Sequence, residues 1–177
     1  MKIGANGWVS GVRRIASPNC DTRPPGTAIN LLVIHNISLP PGEFGGKAIT
    51  QLFTNTLDTE AHPYYAQLRN LKVSAHFLIR RDGRIIQFVS CRKRAWHAGA
   101  SSWQGRPGCN DFSIGVELEG SDYAPFSDPQ YVALVRLTRL LQRTYPVRAI
   151  VGHAEIAPER KTDPGPCFDW PRYLAAL

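Results

Sequence analysis

The feature that most constrains this chain is the run Ala28-Ile29-Asn30-Leu31-Leu32-Val33-Ile34, which is almost continuously apolar and stops abruptly at His35 and Asn36. A short apolar run without alternation suits a central strand covered on both faces. A second run, Arg148-Ala149-Ile150-Val151-Gly152, also closes on a histidine, His153. In open α/β sheets, ligand sites gather where strands end, so two imidazoles at two such ends are candidates to converge.

The rest of the chain reads around those strands. Asp82-Gly83 between the apolar-rich stretches 73–80 and 84–89 predicts a hairpin, and a further strand is expected over 112–118. Ala48, Ile49, Leu52, Phe53 and Leu57 predict a short helix over 47–57. Asp128 as N-cap, Pro129 behind it and the spacing Leu134, Leu137, Leu141, Tyr145 predict a longer helix that Pro146 stops. Residues 154–168 contain three prolines and are expected to form a long loop before a C-terminal helix from Pro171. Residues 1–27, rich in Gly, Pro, Asn and Ser, read as an irregular leader over the surface. Strands alternating with helices around one core give an α/β class, a single domain over 1–177 with a central mixed β-sheet, flanking helices and long loops around a cleft.

Composition narrows the partners. With 43% hydrophobic and 20% charged residues, the chain is neither disordered nor fibrous. Lys and Arg number 21 against 14 Asp and Glu, a net charge of +7 that suits a small acidic substrate or a polyanion. The basic residues are scattered, and Arg92-Lys93-Arg94 is the one run of three, so no stripe tracks a nucleic-acid backbone and no nucleic-acid partner is expected. No stretch has the roughly 18–20 apolar residues of a membrane span, and the N-terminal residues do not form a signal-peptide pattern. Cys20, Cys91, Cys109 and Cys167 include no CxxC pair and read as free thiols. A soluble, cytoplasmic monomer without a membrane partner is the expectation.

Five histidines are available, His35, His62, His76, His97 and His153, and a lone histidine is most often structural. A catalytic zinc site takes three protein ligands from His, Cys and carboxylate and leaves one position open. Beyond His35 and His153, the candidates for a third ligand are Glu155, Glu159, Asp163 and Cys167, with Asp163 held in Arg160-Lys161-Thr162-Asp163-Pro164-Gly165-Pro166, whose prolines and glycine fix the backbone. Strand alternation sets Glu117 on one face and Val116 and Leu118 on the other. A carboxylate on an inward face is either paired with Arg or backbone amides, or used. Trp96, His97 and Trp103 with Tyr64 and Tyr65 can furnish a sugar-binding wall or serve the core.

Several strings together carry a resemblance. His35-Asn36-Ile37-Ser38-Leu39-Pro40-Pro41-Gly42-Glu43-Phe44-Gly45-Gly46, Val73-Ser74-Ala75-His76, Arg94-Ala95-Trp96-His97-Ala98-Gly99, the segment from Asn110 to Gly120, and Gly152-His153 through Arg160-Lys161-Thr162-Asp163-Pro164-Gly165 closely resemble the cytoplasmic zinc N-acetylmuramoyl-L-alanine amidases of bacterial cell-wall recycling. Their broader relatives are phage lysozyme-type amidases and peptidoglycan-recognition proteins. The resemblance covers nearly the whole chain. It implies one zinc ion on His35, His153 and Asp163, with Glu117 as general base and Lys161 as oxyanion stabiliser. It also implies a small acidic muropeptide substrate, cut between the lactyl group of (1,6-anhydro-)N-acetylmuramic acid and L-alanine. Asn36, Tyr64, Trp96 and His97 are then expected to contact substrate. The chain departs from the family pattern at Gly108 and Lys72, where arginines are familiar, so Arg106 and Lys72 are the cations expected to hold substrate carboxylates; Lys72 brings a point charge where a guanidinium is a planar fork.

Three rival readings follow from the same residues. A recognition module that lost catalysis need not keep metal ligands, an exported lytic amidase would act on polymeric wall, and a basic nucleic-acid binder would bind with steep salt dependence.

Overall fold

A computed structural model describes residues 1–177. Its strands are β1 (Arg13–Arg14), β2 (Cys20–Thr22), β3 (Leu31–Ile37), β4 (Phe77–Ile79), β5 (Ile85–Gln87), β6 (Lys93–Ala95), β7 (Ser102–Trp103), β8 (Arg106–Pro107), β9 (Ser113–Glu119) and β10 (Ala149–Gly152). The helices are α1 (Ala48–Phe53), α2 (Asp128–Thr144), α3 (His153–Ile156) and α4 (Trp170–Ala175). Six strands form one mixed sheet in the order β1-β5-β4-β9-β3-β10, while β2 pairs with β6 and β7 with β8. The α/β class with a mixed central sheet read from the apolar runs is the fold observed.

The centre of that sheet is β9, every residue of which is buried, flanked in parallel by β3 and β4. Both faces of β3 are covered, Leu32 and Ile34 by α2, and Leu31 and Val33 by the chain around Ala98, Cys109 and Phe112 with Ile156 of α3, so alternation is lost. On one face, Leu134, Leu137 and Leu141 of α2 pack with Leu32, Ile34, Phe77, Ile114, Val116 and Leu118. On the other, Ile49, Leu52 and Phe53 of α1 pack with Leu78, Ile86 and Phe88. Burying a large aliphatic side chain contributes about 1.5–3 kcal/mol, so these layers hold the strand ends in place.

Local structure departs from expectation in five places. The N-cap of α2 is Ser127, one residue before Asp128: Ser127 Oγ accepts from the Gln130 N–H and Gln130 Oε1 accepts from the Ser127 N–H, a reciprocal capping box. Residues 1–27 are more than a leader, since β1 pairs in parallel with β5 at the sheet edge. Arg23 is buried and donates to the carbonyls of Asn110, Asp111, Cys91 and Ser113. The expected loop from residue 154 begins as a helical turn, because His153–Ile156 is α3. The hairpin around Asp82-Gly83 is present with shorter strands, and α1 ends at Phe53. No helix is long and apolar enough to cross a membrane.

Candidate metal centre and cleft

Parallel pairing brings the two strand-terminal histidines together. β3 lies between β9 and β10, with Ile34 opposite Gly152 and His35 opposite Glu117. The residue after Gly152 is His153, so both imidazoles leave neighbouring strands at the same end. His35 Nδ1 lies 3.0 Å from His153 Nδ1. Asp163 Oδ2 completes a triangle, 2.9 Å from the first and 3.1 Å from the second.

The loop carrying Asp163 is fixed from both sides. Asn36 Nδ2 donates to Asp122 Oδ1 at 2.7 Å and to the Pro164 carbonyl at 3.1 Å. The Ala154 N–H donates to the Asp163 carbonyl at 2.9 Å. A Cβ on Gly152 would stand 2.6 Å from Pro164 Cδ, so only glycine lets the loop close this far. Of the other candidate ligands, Glu155 is spent on the Gly152 N–H at the start of α3, Glu159 is exposed, and Cys167 is not among the three converging groups.

The donor set fits a divalent metal. His153 Nε2–H donates to the Ala98 carbonyl at 3.0 Å, which leaves its Nδ1 as a lone pair facing another imidazole nitrogen and a carboxylate oxygen. His35 Nε2 lies 2.9 Å from His97 Nδ1, and His97 Nε2 lies 3.1 Å from Ser113 Oγ. That chain can run in either direction; with protons passing from His35 toward Ser113, all three converging atoms are acceptors, and a cation between them satisfies each. Tetrahedral zinc ligands at about 2.0–2.2 Å from the metal lie roughly 3.3 Å apart, close to the observed triangle. Outward ring nitrogens bound to a carbonyl and a second imidazole are the supports that fix such ligands. Burial lowers the pKa of His35 despite the neighbouring Asp163, favouring the neutral imidazole that a metal needs. Burial alone would raise the Asp163 carboxyl, but its hydrogen bonds with His153 and His35 outweigh this and hold it well below the usual carboxylate range.

Glu117 and Glu119 share the same strand and face, yet differ in every contact. Glu119 is fully engaged: Oε1 accepts from Gly45 N–H and from Arg80 at 2.6 Å, and Oε2 from Arg81 N–H. The paired-carboxylate reading therefore belongs to Glu119. Glu117 is buried and its Oε2 has no hydrogen-bond partner. Burial and the nearby Asp163 charge push its pKa well above the ordinary value, with Lys161 opposing them. An unpartnered carboxyl in a cleft beside three converging ligands is a candidate proton-transfer group.

His35, Asn36, Tyr64, Trp96, His97, Glu117, His153, Lys161 and Asp163 line one cleft of about 300 Å³. A larger cavity of about 520 Å³ lies elsewhere on the molecule and contains none of these residues; chemistry, not size, identifies the site. His97, expected at the substrate, is buried with both ring nitrogens engaged by His35 and Ser113, which makes it a support for His35. It fits because position 115 is glycine, where a Cβ would come within 2.4 Å of the His97 ring. Lys72 is not in the cleft lining but in an adjoining depression that shares Leu52, Leu68 and Leu71 with it. Arg106 is outside both: exposed on β8, its guanidinium lies 4.0 Å over the Phe112 ring. Tyr65 belongs to the core beside α1, and Trp103 packs on the cluster around Leu31, so the aromatic wall reduces to Tyr64 and Trp96. His76 is buried, and His62 caps a 3-10 turn.

Residues 25–166 match the family model described as N-acetylmuramoyl-L-alanine amidase. The chain is 58% identical over 173 residues, 97% of its length and 92% of the relative's, to the 1,6-anhydro-N-acetylmuramyl-L-alanine amidase AmpD of Salmonella typhimurium strain SL1344. A crystal structure of a selenomethionine AmpD derivative superposes with a TM-score of 0.95 at 57% identity, covering 97% of each chain. The Escherichia coli amidase AmiD, solved with the substrate anhydro-N-acetylmuramic acid-L-Ala-D-gamma-Glu-L-Lys, matches with a TM-score of 0.64 at 31% identity over 87% of this chain and 60% of that one. With the sequence strings, the fold and the full-length relatives in agreement, this chain belongs to the N-acetylmuramoyl-L-alanine amidase family.

Proposed function

We propose that this protein is a zinc-dependent amidase of cytoplasmic cell-wall recycling, hydrolysing the bond between the lactyl group of (1,6-anhydro-)N-acetylmuramic acid and L-alanine in soluble muropeptides. The single observation that carries the reading is the triangle of His35 Nδ1, His153 Nδ1 and Asp163 Oδ2 in the same cleft as the unpartnered Glu117 and Lys161. The substrate named for AmpD relatives and the four unpaired cysteines support the soluble substrate and the reducing compartment.

His35, His153 and Asp163 would hold the zinc ion, which when bound would supply Lewis acidity to the scissile carbonyl and to water. Glu117 takes the proton of the attacking water at its carboxylate and returns it to the departing L-alanine nitrogen. Its Oε2 has no hydrogen-bond partner, so the carboxylate is free to accept that proton and return it. Lys161, on the cleft wall, donates to the oxygen that gains charge as the carbonyl becomes tetrahedral. Trp96 and Tyr64 offer apolar faces to the sugar, and the depression bearing Lys72 receives the acidic stem peptide.

Incubation with purified anhydro-muropeptide and with intact sacculi, each with and without a chelator, tests the reading by mass spectrometry of released peptide. Chelator-sensitive release from the soluble muropeptide is expected. Release from sacculi at an equal rate would overturn the recycling assignment, and release from neither would overturn the amidase assignment.

A further inference from the structure

A concavity of about 520 Å³ lies where the edge strand β1 meets β5, between the start of α1 and the middle of α2. Five cations line it, Arg13, Lys47, Arg80, Arg84 and Arg136, and no acidic residue does. Two of them are committed, Arg80 to Glu119 and Arg84 to Asp82. Arg13, Lys47 and Arg136 have no ion-pair or side-chain hydrogen-bond partner, although they come from three separate elements. Like charges around one hollow repel each other, and nothing in the proposed amidase chemistry uses them.

We propose that this hollow binds a small phosphorylated anion carrying an apolar or planar group, of the nucleoside diphosphate class. Three unengaged cations, two of them guanidiniums, suit a diphosphate, because Arg offers forked donors to phosphate oxygens. Ile15, Ile85 and Ala133 supply apolar wall for a base, and the side chains of Thr50 and Gln51 stand at the same rim for polar contact. The volume lies within the roughly 300–1,000 Å³ of small-molecule sites, and its concavity favours a compact ligand over a flat polyanion.

The test uses the zinc-loaded full chain in calorimetric titrations at 0.15 M salt, with ADP and inorganic pyrophosphate as probes. ADP is expected to bind saturably and more tightly than pyrophosphate. Arg13→Glu and Arg136→Glu are each expected to weaken ADP at least tenfold, whereas Arg148→Glu, the same charge change beside β10 at the opposite sheet edge, leaves it unaltered. Melting temperatures and amidase rates of all three variants are expected to match the parent, since none of these residues lines the catalytic cleft. Absence of saturable ADP binding, pyrophosphate binding as tightly as ADP, equal weakening by Arg148→Glu, or displacement of ADP by excess muropeptide would each overturn the proposal.

Discussion

His35 Nδ1 and His153 Nδ1 stand 3.0 Å apart although 118 positions separate them in the chain. Nothing local brings them together; the parallel pairing of β3 with β10 does, and the loop pinned by Asn36 adds Asp163 to the pair. A metal in this triangle and amide hydrolysis in the cleft around it have measurable consequences at individual residues.

Glu117→Gln keeps the metal and the fold but lowers kcat by roughly 10²- to 10⁴-fold, the usual worth of a general acid-base group. Glu119→Gln behaves in the opposite way. It strips the charge from the partner of Arg80, so it lowers the melting temperature while sparing the chemistry of the molecules that remain folded. Metal content, kcat and thermal unfolding of both variants separate the two roles.

Lys161→Ala costs on the order of 3 kcal/mol of transition-state stabilisation, seen as a kcat about 10²- to 10³-fold lower with KM nearly unchanged. Steady-state kinetics on anhydro-muropeptide checks this; a rise in KM alone would move Lys161 from the reaction to ground-state binding.

Gly152→Ala drives a methyl group into Pro164 and shifts the neighbouring Asp163 out of the triangle. Metal affinity, measured by competition with a chromogenic chelator, is expected to fall about 10- to 100-fold, as it does when groups supporting metal ligands are lost.

Stability falls on the acid side through His76. Burial, aided by Arg23, depresses its pKa to about 3 from an ordinary value of 6.5. Between these values the unfolded chain binds a proton that the folded chain excludes, so unfolding free energy rises with pH at about 1.4 kcal/mol per unit for this one group. The contribution is fully present above the unfolded value and is lost as pH falls toward the folded one. Urea unfolding at steps from pH 4.5 to 6.5 is expected to show the slope, and His76→Asn to reduce it by one proton.

Much of this is legible in the residues because burial on both faces leaves a simple trace. The Ala28–Ile34 run marks a central strand, and a histidine at its end marks a site. Alternation singles out Glu117, but it treats Glu119 alike, and it is the arrival of Arg80, Arg81 and Gly45 around Glu119 that distinguishes the two. The edge strand β1 is hidden because two residues, Arg13 and Arg14, carry no period, and their pairing with β5 depends on a partner more than 70 positions away. Ser127 outcompetes Asp128 as cap because Gln130 returns the hydrogen bond, a pattern visible in the sequence once sought. His97 lines the cleft and also supports His35 through its ring nitrogen, a second role that its motif does not reveal because a motif records proximity to the site and not the partner of each ring nitrogen. Arg106 is expected at the substrate by its position beside Gly108, whereas the β7–β8 hairpin turns it onto Phe112.

The most direct measurement is the metal content of protein purified without added ions, by plasma mass spectrometry, for the parent chain and Asp163→Ala. About one zinc per parent chain is predicted, near none in the variant, and amidase activity that disappears on chelation and returns with zinc. A parent protein that cleaves muropeptide at full rate with no bound metal, or a variant that retains both zinc and activity, would contradict the assignment.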